Sequence, residues 1–69
     1  MKKFIYQEKV YNKDILKCYW KDKNAFHFIL EAKEFVIPLQ STKLIEVFLK
    51  FDNEIGKDED FNLDKLLDM

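Results

Sequence analysis

The sequence predicts a small α+β domain: an antiparallel four-stranded meander covered on one face by one amphipathic helix (ββββα), followed by a short acidic segment able to form a second helix. Three observations carry this reading. Short runs rich in aromatic and β-branched residues occupy 4–11, 15–21, 25–31 and 35–39, broken by Asn, Asp and Lys. Leu44, Val47, Phe48, Phe51 and Ile55 then follow helical spacing. Finally, 48% apolar against 36% charged residues in a 69-residue chain is the balance of one globular unit.

Each element has its own argument. A three-residue loop at Asp22, Lys23 and Asn24, with Asn24 in the left-handed region, sets Lys21 opposite Ala25. Trp20–Phe26, Cys18–Phe28 and Leu16–Leu30 then pair on one apolar face. A two-residue loop at Ala32 and Lys33 sets Leu30 against Phe35 and Phe28 against Ile37. A loop at Asn12, Lys13 and Asp14 places Val10 opposite Leu16 and Tyr6 opposite Trp20, leaving Glu8 as the one misfit beside Cys18. Pro38 has no amide hydrogen, so the fourth strand is an edge or ends there. Ser41 or Thr42 can cap the helix, and Gly56, the only glycine, suits its C-terminal end. Ile45 and Leu49 widen the apolar stripe beyond what one small sheet needs, and either pack under the first strand or form a homodimer or partner surface. Asn62 can cap a second short helix.

Charge divides the chain. Residues 1–51 carry a net +4 and residues 52–69 a net −5 within a total of −1. The chain therefore reads as a basic domain at 1–56 joined to an acidic, Leu-rich tail at 57–69. All 12 basic residues are Lys. Bidentate reading of guanine is an Arg specialty, so sequence-specific recognition of duplex DNA is disfavoured. A composition dominated by Lys, Asn, Ile, Phe, Asp and Glu matches AT-rich coding DNA, as in low-GC bacteria and their mobile elements.

Little in the sequence points to catalysis. Cys18 and His27 are the only pair able to act as nucleophile and base, and the register above puts them on opposite faces of the sheet. Cys18 reads as a small core residue, and His27 as a surface residue or a pH-sensitive contact. One Cys and one His leave no zinc cage, and Asp52, Glu54, Asp58 and Glu59 do not follow a calcium-loop pattern. No cofactor or metal is expected. The opening residues are too charged for a secretory leader and no run approaches 18 apolar residues, which reads as a soluble cytoplasmic protein.

Two surfaces carry the functional expectations. The acidic tail, with Asp58, Glu59, Asp60, Phe61, Asp64, Leu66 and Leu67, combines carboxylates with apolar anchors suited to a basic protein surface. The leading expectation is a non-enzymatic binding protein, an inhibitor of the phage or mobile-element kind that occludes a host nuclease or similar enzyme. The alternative is a dimeric single-stranded nucleic-acid binder whose Lys9, Tyr11, Lys17, Tyr19, Lys21 and His27 share one sheet face, cations tracking phosphates while rings stack on bases. Residues 35–51, FVIPLQSTKLIEVFLKF, run a strand into a capped helix. Following three antiparallel strands, they resemble the C-terminal half of the transcriptional-coactivator family that binds single-stranded DNA as a dimer. That resemblance implies the alternative function; the chain departs from it in having no Arg and, within these residues, no Gly.

Overall fold

A computed structural model describes residues 1–68. The elements run β1 (Lys3–Tyr6), β2 (Lys9–Asn12), a 3-10 turn (Lys13–Ile15), β3 (Leu16–Lys21), β4 (Ala25–Leu30), β5 (Lys33–Pro38), α1 (Ser41–Ile55), β6 (Phe61–Asn62) and α2 (Leu63–Leu67). The class is α+β with one main helix, but the single four-stranded meander does not form. Two three-stranded sheets take its place, ordered β2-β1-β6 and β3-β4-β5.

The difference originates at Gln7 and Glu8. The run at 4–11 folds on itself as a tight hairpin, with Phe4 opposite Tyr11 and Tyr6 opposite Lys9. Both turn residues sit in the left-handed region, φ 53° and 63°, as a type I′ turn requires. Neither is a residue that favours it. The cost is met from the far end of the chain: Asp64 Oδ1 accepts the Gln7 amide at 2.8 Å and Oδ2 the Glu8 amide at 3.0 Å. The expected misfit of Glu8 is thereby resolved, because Glu8 lies in a turn and does not face Cys18. Replacing Asp64 by Ala should lower stability by about 1–2 kcal/mol through loss of two charge-assisted hydrogen bonds. Glu8→Gly should raise it by about 1 kcal/mol. Urea denaturation of both variants and of the double variant reads the coupling.

β3 and β4 pair as Leu16–Leu30, Tyr19–Phe28, Trp20–His27 and Lys21–Phe26, with an irregularity between Leu16 and Cys18. The predicted Leu16–Leu30 pair is present, whereas the other two are displaced by one residue. Asn24 is not left-handed. Instead, Asp22 Oδ1 accepts from the Asn24 and Ala25 amides at 2.8 and 2.9 Å and closes the loop. A slip of one residue exchanges faces, so Tyr19 turns inward while Cys18 and Trp20 turn outward. The β4–β5 loop is Glu31 and Ala32, which pairs Phe28 with Phe35 and Phe26 with Ile37. That is a slip of two, and it preserves the faces.

α1 begins at Ser41 with Gln40 as its cap, whose side chain makes no capping hydrogen bond, so neither Ser41 nor Thr42 caps it. Leu44, Val47 and Phe51 are its buried residues. Gly56 follows at φ −85° without using left-handed freedom. The helix end is closed by the amino group of Met1, which donates to the carbonyls of Glu54 and Ile55 at 2.9 and 3.2 Å, a cation against the negative end of the helix.

The core is aromatic. Phe4, Phe26, Phe28 and Phe51 are fully buried between the two sheets and α1. Residues 57–68 supply part of it. β6 pairs in parallel with β1, Phe4 beside Phe61. Leu63 is fully buried and Leu66 nearly so. Asn62 caps α2 as its sequence position predicts, accepting from the Lys65 amide at 3.0 Å.

Candidate partner-binding surface

The register of β3 leaves an aromatic and titratable cluster on the outer face of β3-β4-β5. Trp20 lies flat on His27, centroids 4.9 Å apart and planes within 2°. His27 Nε2 meets Asp22 Oδ2 at 2.6 Å and Nδ1 meets Glu34 Oε2 at 3.3 Å. Asp22 comes from the β3–β4 loop and Glu34 from β5, so the chain of contacts crosses the whole sheet. The two carboxylates occupy opposite ring nitrogens and do not converge on one point. Cys18 and His27 share this outer face, contrary to the expected register, but both imidazole nitrogens are already engaged by carboxylates. Cys18 itself is exposed and not a core residue.

The hydrogen bond to Asp22, with a further one to Glu34, raises the His27 pKa above its ordinary value against the opposing effect of burial. The Asp22 carboxyl is lowered, first by the Asn24 amide and then by His27. A raised His27 contributes stability that is complete below the ordinary imidazole pKa and is lost as pH rises through the folded value. A lowered Asp22 contributes above the ordinary carboxylate pKa and loses that contribution as pH falls through its folded value. The cluster is therefore firmest between the two. Because Trp20 is the only tryptophan, its emission should titrate with a midpoint above that of an ordinary histidine. A flat profile is expected for His27→Gln.

The other side of β3 faces α1. Tyr19 packs on Phe51 and Phe48, at 5.1 and 5.9 Å between centroids, and its hydroxyl donates to Asp52 Oδ1. That bond leads the causes pushing the Tyr19 pKa up to about 12. Beyond it, Ile45 is 49% and Leu49 59% exposed, with half-buried Phe48 between them at helical spacing. Neither covers the first strand. Lys21 Nζ stands 6.0 Å from the Phe48 ring.

The residues expected to form a Lys/Tyr/His face are not brought onto one face. Tyr19 and Lys21 point toward α1 and His27 to the opposite side. Tyr11 stacks on Phe4 at 5.5 Å in the core cluster. Lys9 and Lys17 are exposed on different sheets. The single four-stranded sheet behind the coactivator resemblance is likewise not formed. In the C-terminal segment, Asp58, Glu59 and Asp60 are exposed, with Asp58 3.8 Å from Lys2. Leu66 belongs to the core cluster, Phe61 and Leu67 pack at its margin, and Asp64 holds the hairpin turn.

What sequence reasoning missed is the set Trp20, Asp22 and Glu34. Asp22 and Glu34 meet His27 only through the loop closure and the β4–β5 register, and the residue types alone carry no signal for either. Among the described residues no group of three His, Cys, Asp or Glu is placed to hold a metal, and no helix is long and apolar enough to cross a membrane. Comparison with known proteins gives no match to this chain among protein-family models, curated proteins or solved structures.

Proposed function

We propose that this chain is a small non-enzymatic binding protein that acts by covering part of a protein partner, as inhibitors encoded by phages and mobile elements do. One observation carries the reading. Large apolar side chains stay in solvent on both sides of β3: Trp20 at 36% on the sheet face, Ile45 at 49% and Leu49 at 59% on the helix. Exposed large apolar and aromatic side chains of this kind supply the anchors of protein interfaces. The acidic segment is a weaker candidate, since its carboxylates at 58–60 lack neighbouring exposed anchors.

Affinity capture from a bacterial lysate tests this, run in parallel with an Ile45→Asp/Leu49→Asp chain and with nuclease treatment. A protein retained by the original chain, released from the variant and indifferent to nuclease is the expected result. Failure to retain a protein, or retention abolished by nuclease, overturns it, and retention unchanged by the substitutions rules the helix stripe out of the interface. Sedimentation should give the monomer mass; a dimer dissociated by Ile45→Asp would make the stripe a self-contact. Because the Lys and Tyr residues are dispersed, single-stranded oligonucleotides should show no saturable binding at low salt, where electrostatic binding is strongest.

A further inference from the structure

We infer that the free edge of β3 accepts an extended acidic segment of a protein partner, which adds as a fourth strand to β3-β4-β5. This rests on the protein-binding reading above and names the partner's chemistry.

β3 is the outermost strand of its sheet and pairs only with β4. Four of its six residues, Lys17, Cys18, Trp20 and Lys21, are exposed. The Asp22 amide donates to the Ala25 carbonyl at 3.0 Å. Antiparallel ladders alternate, so Trp20 turns its backbone groups toward His27, and Tyr19 and Lys21 present theirs along the open edge. Such a row of backbone donors and acceptors is the template for strand addition.

Charge selects the occupant. Lys17 and Lys21 flank Tyr19 on the strand, Lys23 follows in the loop, and no acid lies within β3. Two acids beside the strand are engaged, Asp22 by its loop amides and His27 and Asp52 by the Tyr19 hydroxyl, while Asp14 lies in the turn before β3, away from Lys21 and Lys23 in the chain. A second copy is disfavoured, because pairing β3 with itself about Tyr19 sets Lys17 against Lys21 of the other copy, and like charges directly opposite are destabilising. An acidic strand meets the same two lysines favourably. Its alternate side chains would reach Trp20 on one side and the Phe48, Ile45 and Leu49 stripe on the other.

The competing edge is poorer. β5 ends in Pro38, which has no amide hydrogen, and Lys33 and Glu34 cancel in charge. Its Phe35 ring already meets Tyr11 of β2 at 6.3 Å.

The test titrates the full chain with a short blocked peptide of alternating Glu and Val. Parallel titrations use its Lys-for-Glu counterpart and a version N-methylated at alternate amides. Trp20 emission and the backbone amide NMR shifts of Tyr19 and Lys21 are followed. The expected result is saturable binding with shifts centred on β3, about tenfold tighter for the Glu peptide than for the Lys peptide. N-methylation should abolish it, and Lys17→Glu/Lys21→Glu should invert the preference, with circular dichroism confirming that the variant is folded. No shift, shifts centred on another strand, equal affinity for the two peptides, or indifference to N-methylation overturns the inference. If the peptides fail while lysate capture still depends on Ile45 and Leu49, edge addition is wrong and the binding reading stands. If the peptides bind β3 while capture ignores Ile45 and Leu49, the edge stands and the helix stripe is not part of the interface.

Discussion

A chain ending at Gly56 is expected not to fold. Residues 57–68 look like an appendage in the charge pattern, yet their removal strips β6 from β1 and uncovers Phe4 and Phe51. It deletes Leu63 and Leu66, which are 0% and 6% exposed, and leaves the Gln7–Glu8 turn without the Asp64 carboxylate. Burial of two leucines is worth about 3–6 kcal/mol, comparable to the roughly 3–5 kcal/mol that one core supplies in so short a chain. Circular dichroism should show loss of ordered structure and thermal scans no cooperative transition. A cooperative melt would show that the segment is dispensable. The acidic surface is better tested by Asp58→Asn/Glu59→Gln/Asp60→Asn, which leaves the buried leucines and Asp64 in place.

Phe51→Ala should have an effect of similar size. The Phe51 ring lies 5.1 Å from both Tyr19 and Phe26, 6.1 Å from Phe61, 6.2 Å from Phe4 and 6.3 Å from Phe28. It joins both sheets to α1 and is fully buried. Removing a buried phenyl ring costs about 3–5 kcal/mol, enough to unfold most of the population, whereas Phe51→Leu should cost less because more of the volume is kept. Urea titration distinguishes the two. A midpoint for the alanine variant close to that of the original chain would mean that the surrounding rings collapse into the space.

The contrast between α1 and the first hairpin explains what could be read in advance. Leu44, Val47 and Phe51 are spaced for one helical face, and that face is buried because a period of 3.6 residues is local to the segment. For the same reason Ile45 and Leu49 stood out beforehand as apolar residues in excess, and they are exposed. The β4–β5 faces survived a wrong loop assignment, since a slip of two leaves alternation intact. β3 did not. One extra residue between Leu16 and Cys18 lets Leu16 and Tyr19 both contact the core, and it moves Trp20 out beside His27, creating a cluster that the straight register hides.

Composition and periodicity alone determined a small α+β chain, a capped second helix at Asn62, the amphipathic α1 and the division of charge, because each depends on neighbours within a few residues. Tertiary structure alone decided that there are two sheets and not one. The Gln7–Glu8 turn has no glycine or asparagine to favour positive φ, and its amides are held by Asp64, 56 and 57 residues away. No local rule contains a contact of that range, and the burial of Leu63 and Leu66 on either side of Asp64 makes the acidic segment part of the core.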